Sequence, residues 1–135
     1  MTVFDKSRLK HLSTRELQAY GAACLATFCA NKGISSPYVD ALIAHLLSVL
    51  TCSDLPGWET AGARLELTGR GDPLPPGLLA SLRSDMLPIL QHLVDSVVEI
   101  GLVDMYTAET ERPFEFLLRT TTILELQGVH PPSIG

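Results

Sequence analysis

His92, Asp95 and Glu99 stand at i, i+3 and i+7, the spacing that puts three side chains on one face of an α-helix. An imidazole with two carboxylates is a set that ligates a divalent metal or relays a proton. A metal site, however, draws ligands from more than one direction, and no second ligand-bearing segment such as an HExxH helix accompanies these three. They also lie on the side of their helix away from Leu90, Val94, Val97 and Val98. The plainer reading is a solvated face, with no metal and no other cofactor.

The remaining reactive residue types form no pattern that implies a reaction. Cys24, Cys29 and Cys52 include no CxxC pair, and Cys24 and Cys29 are five apart, on different sides of a helix. All three have apolar neighbours, where a free thiol behaves as a small hydrophobe. Gly69-Arg70-Gly71-Asp72 carries a GxG and the tripeptide read by some cell-surface receptors. A phosphate cradle needs its glycines between a strand and a helix, and here a proline-rich turn follows. There is no GxSxG elbow, and His11, His45 and His130 stand alone. The chain is therefore expected not to be an enzyme.

Charge is more informative. Residues 1–94 hold eight acids against eight bases; residues 95–125 hold seven acids against Arg112 and Arg119, so the whole net charge of −5 falls in the second segment. Such a surface repels nucleic acid and attracts a basic protein. Its densest part, "VDMYTAETERPFEF" over 103–116, has four carboxylates and one arginine. Asp95 and Glu99 place like charges one helical turn apart, at a modest cost to helix stability. Tyr106 adds an amphipathic ring between Asp104 and Glu109. Carboxylates near a helix start, such as Glu109 and Glu111, also favour the helix dipole. A solvated joint between helices thus competes with a docking surface made of Asp95, Glu99, Asp104, Tyr106, Glu109 and Glu111.

The elements that would carry these residues are helices. Apolar content of 46% in 135 residues gives a real core, and 19% charged residues excludes a disordered acidic chain. Ser13-Thr14-Arg15-Glu16 has capping-box form, so a first helix starts at Thr14 and stops at Gly33. Leu17, Tyr20, Cys24 and Phe28 make its apolar stripe. The other side carries Ala19, Ala22, Ala23, Ala26 and Ala30 rather than charges, which predicts neighbours on both sides and a central position.

Ser36 caps a second helix with Pro37 in its first turn and Val39, Leu42, Ile43, Leu46, Val49 and Leu50 on its buried face. The Pro/Gly-rich segment 53–77 reads as a long loop holding a short helix over 58–67, built on Trp58, Ala61 and Leu65. Trp58 reads as a lid over the core. Helical pattern resumes over 78–100 with a break near 85–87 imposed by Pro88, and ends at Gly101. A last helix begins within 110–113 and ends at Gly128.

The expected fold is all-α: one domain over 1–135, a compact bundle of five or more helices around the first. Residues 1–12 form an N-terminal arm and 129–135 a tail. The first residues lack an apolar core, so no secretory signal is read there. The longest uncharged stretch, 17–31, is too short to span a bilayer. A cytoplasmic protein that binds a basic protein partner follows, most concretely an inhibitor or immunity-type protein neutralising a toxin. It binds neither nucleic acid nor membrane. The alternatives are a helical adaptor or self-associating module and, behind it, a small-molecule enzyme or ligand-binding bundle.

Overall fold

The protein is described by a computed structural model that covers residues 6–105 and 109–133. Among the described residues it is all-helical, without strands. The helices are α1 (Thr14–Lys32), α2 (Pro37–Leu47), α3 (Leu55–Ala63), α4 (Pro76–Leu79), α5 (Leu87–Leu102) and α6 (Arg112–Leu126), with short 3-10 turns at Lys6–His11 and Ser48–Leu50. No helix among these residues is long and apolar enough to cross a membrane.

The ends of α1 and α2 are fixed by local chemistry. Ser13 Oγ accepts the Glu16 N–H at 3.2 Å, and the Glu16 carboxylate accepts the Ser13 N–H at 3.0 Å. The box also holds Glu16 below its ordinary pKa, mainly through the Ser13 N–H. At the other end Gly33 adopts φ 69° and Ile34 N–H reaches back to Cys29 O at 2.9 Å, a closure that needs a left-handed residue. Ser36 caps α2 by accepting the Tyr38 N–H at 3.2 Å.

α1 packs against α2, α5 and α6, and α5 packs against α6. On its leucine side Leu17, Cys24, Leu25 and Phe28 are buried; on its alanine side Ala22 is buried, Ala19, Ala23 and Ala26 are half-buried, and Ala30, in the last turn, is exposed. Burial pushes the thiols of Cys24 up to about 12 and Cys29 up to about 11. Both therefore stay protonated near neutrality and poor as nucleophiles.

Several elements differ from their sequence expectation. Leu50 is 49% exposed, because the 3-10 turn after α2 advances about 120° per residue and breaks the 3.6-residue register. The short middle helix starts at Leu55 rather than 58, since Asp54 Oδ1 accepts the Gly57 N–H at 3.1 Å and Pro56 suits the first turn. It ends at Ala63, leaving Ala61 exposed and Leu65 half-buried. Helix before Pro88 is confined to the single turn of α4, with turns and bends over 80–86. Proline clashes with the carbonyl four residues back, so α5 must start with Pro88 in its first turn.

Gly101 does not end α5, which runs to Leu102. Gln18, wholly buried in α1, gives the glycine a different role. Its Nε2 donates to Val97 O at 2.8 Å, and its Oε1 accepts the Gly101 N–H at 2.9 Å. The Gln18 amide thus engages the two backbone groups that a helix joins to each other. A methyl at Gly101 would lie 2.4 Å from that Oε1, so the glycine serves close approach rather than termination.

Past α6, Gly128 takes φ 74° and Val129 N–H returns to Leu124 O at 2.8 Å. Val129 and Pro131 are buried, and the Tyr20 hydroxyl donates to Pro132 O at 2.5 Å. The segment after α6 is therefore tied to α1 at Pro132. At the opposite end, Leu9 in the Lys6–His11 turn is fully buried, and Lys6 pairs with Glu125 of α6 at 2.8 Å.

Candidate functional site

The residues singled out from sequence fall in two places. His92, Asp95 and Glu99 line an open groove of about 500 Å³ with Arg119, Phe116 and the 69–71 turn. His92 is exposed, while Asp95 and Glu99 are half-buried, less solvated than the amphipathic pattern implies. The turn covers that face: Asp95 accepts from Gln91 Nε2 at 3.1 Å and from the Gly71 N–H at 3.5 Å. Arg119 lies over the Phe116 ring, 4.8 Å from its centroid. Among the described residues no group of three His, Cys, Asp or Glu side chains is placed to hold a metal.

Asp104, Glu109 and Glu111 belong to the α5–α6 joint. Asp104 is half-buried and fastens the joint: Oδ2 accepts the Thr110 N–H at 2.7 Å and the Thr110 hydroxyl at 2.8 Å. Thr110 Oγ1 in turn accepts the Arg112 N–H at 3.1 Å as α6 begins. Asp104 is thus occupied in holding the chain. Glu109 and Glu111 are exposed and, with Glu115, line a groove of about 480 Å³ that also includes Lys10 and Phe114. The described ion pairs are Lys6–Glu125, Arg70–Glu59 and Arg83–Asp85, so Glu109, Glu111 and Glu115 have no cationic partner among the described residues. Tyr106 lies outside the described residues.

Sequence reasoning passed over a polar cluster at the α2–α3 junction. Trp58 is buried, as a core lid should be, and stacks on His45 with ring centroids 4.6 Å apart; its Nε1 donates to His45 O at 2.9 Å. Arg70, from the GRGD turn, pairs with Glu59 at 2.5 Å and donates to Glu59 O at 2.8 Å. His45 Nε2 and Arg70 Nε are both buried without a hydrogen-bond partner. The signal was spread over three distant segments, so no local pattern could reveal it.

Burial, and then the Arg70 charge, hold His45 below its ordinary value of 6.5. With the folded-state pKa below the unfolded one, the unfolded chain takes up the proton first as pH falls. The domain is therefore expected to lose stability as pH drops below 6.5, until the folded-state value is also passed. His45→Gln should flatten that slope between about pH 7 and pH 5 in denaturation measurements; an unchanged slope would contradict the assignment.

Together the joint carries two exposed anionic side chains beside the Asp104–Thr110 hydrogen bonds, while the His92 face is partly covered by the 69–71 turn and shares its groove with Arg119. The first arrangement suits recognition of cations more than bond chemistry. No protein-family model, no curated protein and no solved structure matches this chain.

Proposed function

We propose that the chain is a non-catalytic, cytoplasmic binding domain that docks a basic protein partner at the entrance to α6. The observation that carries this reading is the set of exposed, unpaired carboxylates of Glu109, Glu111 and Glu115, in the segment that holds the entire net charge. Asp104, bound to Thr110, serves as the anchor of that surface rather than as a contact, and Asp95 and Glu99 supply its outlying charge. The most concrete partner is a toxin with a cationic active site, which makes the domain an inhibitor or immunity-type protein. A bundle arranged around α1 belongs to the same reading, supported by the packing of α1 on three other helices.

The test is binding kinetics against a protein captured from the native host. Association should slow as salt shortens the Debye length from about 10 Å at 0.1 M to about 3 Å at 1 M. Reversing Glu109 and Glu111 to lysine should slow it about tenfold or more, with stability changed by less than about 0.5 kcal/mol because both sites are exposed. Salt-independent association that ignores the double reversal would overturn the proposal. Self-association is the second reading, favoured by exposed Leu126 (77%), by Leu47 at the end of α2 and by Leu50 in the 3-10 turn after it. A concentration-dependent dimer in sedimentation, lost on Leu126→Lys or Leu50→Lys, would select it.

A further inference from the structure

A separate cleft of about 370 Å³ lies between the start of α1, the α2–α3 junction and the α5–α6 joint. Arg15 supplies its cation. Nη1 of Arg15 donates to Val49 O at 2.6 Å, to Cys52 O at 2.7 Å and to Cys52 Sγ at 3.3 Å. These contacts fix the half-buried guanidinium in place but neutralise nothing, since no described carboxylate lies within ion-pair distance of Arg15. Its Nε and Nη2 make no hydrogen bond to a described residue, and neither is among the atoms sealed from solvent. One edge of a rigid fork, two parallel N–H donors, is therefore left unused on a residue that lines the cleft. That geometry matches a carboxylate bidentately.

The same cleft contains carboxylates, Asp104 held by Thr110 and Glu109 exposed. A simple anion would meet Arg15 but be repelled by these two; a simple cation would meet the reverse. Val49, Leu55 and Met105 add apolar surface to a lining that also includes Ser13, Thr14, Gln18 and Gly101. A ligand that satisfies all three parts carries a carboxylate, an ammonium and an apolar group. We infer that this cleft binds a free α-amino acid with an apolar side chain, its carboxylate on the Arg15 fork and its ammonium toward Asp104 and Glu109. The volume falls at the small end of ligand pockets, which run from about 300 to 1,000 Å³, as a ligand of this size requires. The inference goes beyond protein docking, and of its charged residues Arg15 has no part in that surface.

The experiment is isothermal titration calorimetry of the full chain with L-leucine and L-methionine, alongside 4-methylpentanoate, which lacks the ammonium, and isopentylamine, which lacks the carboxylate. Saturable binding of one amino acid at about 1 mM or tighter is expected, with each truncated analogue at least about tenfold weaker. Arg15→Lys keeps the charge but loses the fork and should weaken binding at least about tenfold. Glu109→Gln, at an exposed position, should also weaken it. Should Arg15→Lys fail to keep the helical circular dichroism of the parent, Glu109→Gln carries the mutational test alone. Absence of saturable binding by both amino acids, equal binding of either truncated analogue, or binding indifferent to the folded variants would overturn the inference.

Discussion

Replacing Phe28 by alanine is expected to destabilise the domain by about 3–5 kcal/mol, the usual cost of emptying a buried aromatic site. The ring is 0% exposed and sits on α1, where Cys24, Leu25 and Cys29 are also buried. α1 packs against α2, α5 and α6, so collapse around the vacated volume would have to move long helices that are themselves anchored. Domains of this size are stable by about 5–15 kcal/mol, so the variant should lose a large fraction of its stability. Urea denaturation of both proteins measures the difference. A change within about 0.5 kcal/mol, the range of surface substitutions, would show that the ring does not fill the core.

Gly69→Ala is expected to cost about 2–5 kcal/mol, from two separate sources. Gly69 adopts φ 66°, where an L side chain costs about 1–2 kcal/mol. Its new methyl would lie 2.3 Å from Val98 Cγ2, 2.9 Å from Val98 Cβ and 3.1 Å from Val94 Cγ1. Val98 Cβ is bound directly to the α5 backbone and cannot swing aside, so overpacking adds about 1–3 kcal/mol. Gly71→Ala supplies the control. It has φ 85° but nothing within 4 Å of the added methyl, so it should show the backbone cost alone. Equal losses in the two variants would mean that the 69–71 turn does not press on α5. The same turn donates to Asp95, so in Gly69→Ala the Asp95 face should also become more accessible.

These variants mark the boundary between what local sequence encodes and what assembly adds. The capping box of Ser13 and Glu16, the Gly33 stop, the Ser36 cap, the placement of Pro37 in a first turn and the break before Pro88 form as the residues predict. Each depends on hydrogen bonds or clashes within about five residues, and that range is set by residue type whatever the rest of the chain does. The apolar stripes likewise gave the all-helical class, because helical periodicity can be satisfied only by a helix with one side in a core.

Other features required the packed structure. Gln18 looks from sequence like a polar residue on an apolar helix; only the meeting of α1 with α5 gives its amide Val97 O and Gly101 N–H as partners. Asp95 looks solvated until the 69–72 turn lies over it, and Asp104 looks free until Thr110 folds back onto it. Arg15 is one cation among many until Val49 and Cys52 offer it carbonyls without a carboxylate. In the acidic segment, sequence alone determined the sign and amount of charge. Tertiary structure decided which carboxylates are spent on holding the backbone and which remain exposed, because a carboxylate's partners depend on segments that become neighbours only on folding.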